Sequence, residues 1–140
     1  MKKCWASILG DCSESMSKEH IISNSILLPT IKVKGFSWCK REVKEISSSS
    51  IVSKILCKKH NNLLSPYDSE IKRFIEVFDE YFKVEKRINK YGFSVNKLPY
   101  KYQINGALVE KWFVKTLINV FKVKYITHKT TASKRLFKFL

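Results

Sequence analysis

The stretch LCKKHNNLLSPYD, residues 56–68, carries a cysteine, a histidine, two asparagines and a helix-start signal in close order. Cys57 and His60 have the two-residue spacing that lets one turn of chain present a thiolate and an imidazole to a single metal ion. SPYD then puts Ser65 where an N-cap belongs, Pro66 at the first helical position and Asp68 at the reciprocal capping position. Beyond it Ile71, Phe74, Ile75, Phe78, Tyr81 and Phe82 recur at three- and four-residue steps. That spacing predicts an amphipathic helix reaching about residue 88.

A tetrahedral site needs two more soft ligands than this stretch supplies. The other cysteines are Cys4, Cys12 and Cys39. Cys4 and Cys12 are the natural donors, with Gly10 permitting the chain reversal between them. Cys39 competes with Cys12 for the second place, because Trp38 and the preceding strand suggest a buried position. The competing interpretation makes all four separate buried thiols and His60 a surface residue.

Outward from the stretch, EHIIS (19–23) reads as a strand, and IKVKGFSW (31–38) alternates apolar and polar residues before and around a glycine. The serine run 47–50 reads as a loop or helix start, and IVSKILC (51–57) leads into the Cys-x2-His turn. Residues 90–106 contain two glycines and a proline and predict an irregular or β connection. A second helix fits 107–123, with Leu108, Trp112, Phe113, Leu117, Ile118 and Phe121 as a wide apolar stripe and Lys111, Lys115 and Lys122 outside it. The aromatic residues of that stripe suit a core better than a base-stacking platform. The tail from residue 126 is basic and without a period; His128 reads as a surface residue.

Composition bounds the function. Of 140 residues, 44% are hydrophobic and 13% aromatic, which excludes a disordered chain. No apolar run approaches the ~20 residues that span a bilayer, and the first residues break too soon for a signal peptide, so the expected location is the cytoplasm and no membrane partner is expected. In a reducing compartment, cysteines point to metal or buried thiol more than to disulfides. The formal charge is +15 and unevenly placed. Residues 1–85 carry 14 basic and 11 acidic side chains, a net of +3, whereas residues 86–140 carry 13 basic and one acidic, a net of +12. Such an excess favours polyanions through counterion release and nominates nucleic acid as the partner.

Glu19 and His20 follow Cys12, and Asn61 follows His60 directly. An acidic-His pair between the halves of a zinc clip, with an asparagine after the last ligand, resembles the HNH (ββα-metal, His-Me finger) endonucleases. The resemblance covers residues 4 to about 68, and it implies an α+β fold: a zinc-stapled ββα-metal core over residues 1–88 followed by a basic, mainly helical extension over 89–140. It implies structural zinc on Cys4, Cys12, Cys57 and His60. It implies His20 as the general base that deprotonates water to attack a phosphodiester, with Glu19 and Asn61 holding a catalytic Mg²⁺ or Mn²⁺. Zinc with all four places filled leaves no room for water, hence the second cation. Asp68 stands where many members place a third metal-binding side chain; as a helix cap it would have no such role. Asn62 competes with Asn61.

This chain departs from the family's commoner pattern in three places: glutamate for aspartate before the histidine, a widely spaced first cysteine pair, and histidine as last zinc ligand. The function implied is endonucleolytic hydrolysis of DNA. The alternatives are an inactive zinc-stabilised nucleic-acid-binding module, or an interaction subunit of a larger nuclease or defence assembly, with a protein partner or homodimer.

Overall fold

The computed structural model of the chain describes residues 4–36, 38–91 and 102–123. Among these residues it is an α+β structure of two small antiparallel sheets and two helices. Strand β1 (Met16–His20) pairs with β4 (Val52–Cys57), and β2 (Thr30–Val33) pairs with β3 (Lys44–Ser47). Helix α1 (Lys58–Tyr91) follows β4 without a loop, and α2 (Gly106–Lys122) packs against it. Short 3₁₀ turns occupy Trp5–Leu9, Asn24–Ile26 and Ser48–Ser50. Most of the connection between the helices, and the tail with His128, lie outside the described residues.

The β1–β4 ribbon is irregular in a useful way. Leu56 opposes Ser17 but Ser53 opposes Glu19, so two β4 residues face Lys18 alone. An extra residue of this kind breaks the two-residue alternation. Ile55, Leu56 and Cys57 are accordingly buried in succession, where a regular strand would turn Leu56 to the other face.

Helix α1 begins at Lys58, eight residues before the first helical position that Ser65 and Pro66 announce, and Pro66 lies inside it. The cap comes from elsewhere. The backbone N–H of Lys58 donates to the Ser15 carbonyl at 2.9 Å and that of Lys59 to Ser13 Oγ at 3.2 Å. The N–H of His60 lies 3.5 Å from Cys57 Sγ. Three of the four orphan donors of the first turn are thus satisfied, with a cysteine sulfur in the N-cap role. Pro66 cannot donate to the Asn62 carbonyl, and the Ser65 hydroxyl takes that acceptor instead at 2.8 Å. The apolar stripe of α1 divides along its length. Ile71 is buried and Phe74 half-buried, whereas Phe78, Tyr81 and Phe82 are exposed.

One core cluster joins Cys4, Trp5 and Ala6 to Ile55, Leu56, Leu64 and Ile118. A second holds Ile21, Val33, Cys39 and Ile51, and a third Ile71, Val109 and Trp112. Helix α2 reaches all three, the first through Ile118, the second through Val120 and the third through Val109 and Trp112. Trp112 is buried, as its place in the stripe predicts, while Phe113 and Leu117 face outward. Lys115, expected outside the stripe, is instead 1% exposed. It lies three residues from both Trp112 and Ile118, so the helical period carries its stem inward, and two carboxylates receive its ammonium. Among the described residues no helix is long and apolar enough to cross a membrane.

Candidate functional site

Cys4, Cys12, Cys57 and His60 converge, with one donor atom from each lying within 4.8 Å of every other. The sulfurs of Cys4, Cys12 and Cys57 stand 3.4, 3.5 and 3.2 Å from Nδ1 of His60. A tetrahedral ion with metal–sulfur bonds of about 2.3 Å and a metal–nitrogen bond of about 2.0 Å would set sulfur and nitrogen roughly 3.5 Å apart. The Cys₃His group could therefore hold a metal such as zinc.

Each ligand has a local cause. The Trp5–Leu9 turn ends at Gly10, whose φ of 83° and the φ of 48° at Asp11 reverse the chain and return Cys12 beside Cys4. Cys57 ends β4, and His60 occupies the first turn of α1. Cys39, the competing ligand, belongs to a different core cluster, with Sγ 3.9 Å from the Val33 carbonyl. The β2–β3 hairpin carries it away from the clip.

Crowding perturbs the thiols in the way a metal would relieve. Loss of solvent around its sulfur and the neighbouring Cys4 and Cys57 push the Cys12 thiol up from 9.0 to about 11. Burial also pushes Cys57 upward, but the N–H of His60 and hydrogen bonds from Ser13 outweigh it and lower that thiol to about 6. Bound cation would remove the repulsion between thiolates.

Beside the metal group, His20, Asn61, Asn62, Ser65, Glu19 and Asp68 line one polar cleft of about 230 Å³, with Lys18 among its other residues. The Asn61 amide donates to Ser17 Oγ at 3.0 Å, tying α1 to β1. Nδ1 of His20 is buried and has no hydrogen-bond partner among the described residues. The cleft thus contains every residue that the resemblance assigns to catalysis, including both asparagines.

Their engagements differ from those a divalent cation would require. Glu19 is buried, and its Oε1 accepts from Lys115 Nζ at 2.7 Å. Asp68 Oδ2 accepts from the same ammonium at 2.5 Å, and its Oδ1 accepts from Ser23 Oγ. Trp112 Nε1 donates to that Ser23 oxygen at 2.6 Å. Asp68 lies more than two turns inside α1, so it caps nothing. Burial pushes the Glu19 carboxyl above its usual range, against the attraction of Lys115 and with a further push from Asp68. As arranged, these two carboxylates do not fit a divalent cation, because an ammonium fills the point on which they converge.

Residue patterns alone missed Lys115 and Asn119. Asn119 Oδ1 accepts from Trp5 Nε1 at 2.9 Å, while its Nδ2 faces the carbonyls of His20 and Ile21 at 3.3 and 3.4 Å. The available signal was spacing: Trp112, Lys115 and Asn119 recur at three and four residues, on the inward face of α2. Comparison of the chain with protein-family models, with curated proteins and with solved structures finds no match.

Proposed function

We propose that the protein hydrolyses phosphodiester bonds in nucleic acid, most simply DNA, with His20 as general base. The observation that carries the reading is the cleft itself: His20 shares it with Asn61, immediately beside a Cys₃His group, in the chain order of the family resemblance. An imidazole both takes and returns a proton near neutral pH, which suits activation of water. The amides of Asn61 and Asn62 offer donors to phosphate oxygens, and the exposed Lys18 offers a positive charge at the same opening. Metal on the Cys₃His group would staple residues 4–12 to the β4–α1 junction and so hold Asn61 against β1. The positive charge of the second half would bring the polyanion to the cleft.

Supercoiled plasmid, incubated with zinc-loaded protein with and without Mg²⁺ or Mn²⁺, tests this. Relaxed or linear product is expected from the native chain. His20→Ala should lower the rate by about 10² or more, the scale of general-base catalysis, while retaining its zinc. Equal cutting by both proteins would remove His20 from the mechanism.

A second reading has its own support. The carboxylates that the resemblance gives to a catalytic metal are occupied by Lys115, as suits a zinc-stabilised module that binds nucleic acid without cutting it. Retarded mobility of plasmid without cleavage, across both metals, would select that reading.

A further inference from the structure

We infer that Lys115 is the resident cation of this site, an ammonium built into α2 where the resemblance calls for a divalent ion. The inference concerns cation binding; only its bearing on catalysis rests on the nuclease reading. The ammonium meets Glu19 Oε1 at 2.7 Å and Asp68 Oδ2 at 2.5 Å. Both Glu19 and Lys115 are almost fully buried, and Asp68 is largely so. Two carboxylates turned toward one point in a low-dielectric setting repel each other unless a cation lies between them. Lys115 has no alternative outlet, because its stem is enclosed on the face of α2 that carries Trp112, Ile118 and Asn119.

A divalent ion at the same point would bind these oxygens at about 2.0–2.6 Å and add two charges. It would have to share that volume with the ammonium, which supplies one charge already. The lysine excludes the ion by occupying its space and by repelling it. Lys115 is a positioning residue: it does not line the cleft and acts through the carboxylates of β1 and α1. Because the ammonium arrives on α2, the cleft's electrostatics depend on a helix that follows the whole zinc clip in sequence.

Mn²⁺ is the probe, counted by the loss of the free-ion electron paramagnetic resonance signal in zinc-loaded full-length protein. The native chain is expected to bind no Mn²⁺ that depends on Glu19. Lys115→Ala is expected to bind about one Mn²⁺ per chain, at least tenfold more tightly than the native protein, and to melt at a higher temperature when Mn²⁺ is present. Lys115→Arg should behave as the native chain does, and a Lys115→Ala, Glu19→Gln double variant should lose the gained ion. A merely structural lysine would change melting temperature without creating a stoichiometric Mn²⁺ site.

One Mn²⁺ per native chain, abolished by Glu19→Gln, would overturn the inference. So would a folded Lys115→Ala chain that binds Mn²⁺ no better than the native one. Should the alanine variant not fold, Lys115→Gln supplies the same comparison with the volume retained, and the native and Glu19→Gln titrations still decide the first outcome. None of these readings requires cleavage, so an inactive protein would leave the inference standing and remove only the nuclease reading.

Discussion

Cys57 offers one sulfur to both the metal group and the first turn of α1. Its Sγ accepts from the His60 N–H and faces the His60 ring, so the residue that starts the helix also closes the clip. Substitution therefore acts twice. Cys57→Ser should release zinc and lower the urea midpoint well below that of the zinc-loaded native chain, since structural zinc contributes up to about 10–16 kcal/mol of apparent binding energy in small domains. Cys39→Ser should keep its zinc and lose only about 1–2 kcal/mol, the usual scale for a polar change at a buried position away from such features. Zinc content by atomic absorption, with a urea titration of each variant, checks both. The Cys-x2-His turn was legible because metal ligands at that spacing have few other uses. The choice of Cys12 over Cys39 was not, because it depends on the left-handed backbone at Gly10 and Asp11 and on where a hairpin carries Cys39. Lys115 was hidden by its own chemistry: residue type sends a lysine to solvent, while its helical phase sends it inward.

Helix α1 tolerates a proline because its neighbour repairs the damage. Pro66 leaves the Asn62 carbonyl without its usual donor, and the Ser65 hydroxyl bonds it instead. The repair recovers a hydrogen bond but not the steric cost of the ring, and an interior proline is about 3 kcal/mol less favourable than alanine. Pro66→Ala should stabilise the protein by about 1–2 kcal/mol after that offset, read as a higher urea midpoint with an unchanged slope. The same element shows why the helix start was misread. SPYD satisfies a sequence rule for beginnings, but the true first turn is capped by Ser13, Ser15 and Cys57, two of them distant in sequence. Helix α2 and the start of β2 were legible within a residue, since their patterning is local, whereas β1 begins three residues before EHIIS and β3 and β4 carried no strand reading. The β4 bulge was not legible, because an unpaired residue is a property of two strands together.

For the whole molecule, metal and pH are linked through the clip. In the metal-free chain the Cys57 thiol falls from 9.0 to about 6 on folding. Folded chains then bind fewer protons than unfolded ones between those values, so stability rises with pH across that window. Its contribution is full above the unfolded value and is lost as pH falls through about 6. Cys12 has the opposite sign: raised to about 11, it favours folding below 9.0 and loses that contribution as pH climbs through the folded value. The urea midpoint of metal-free protein should consequently rise from pH 6 to 9. Zinc-loaded protein should show a steeper rise between pH 7 and 9, because its coordinated thiolates carry no protons while the thiols freed on unfolding take them up again. A midpoint that falls over this interval in the metal-free chain would contradict the Cys57 environment.

The bonds from α2 back to the first quarter of the chain carry a consequence for how the polypeptide matures. Trp5 waits for Asn119, and the serine at 23 waits for the indole at 112. A nascent chain released as far as residue 91 already owns all four metal donors, the imidazole and both amides. It would nonetheless hold two acidic groups facing an unfilled gap. Synthesis of α2 is thus the step at which the charge of the interior is balanced, and a ribosome that stalls before it leaves Glu19 and Asp68 without their counter-charge.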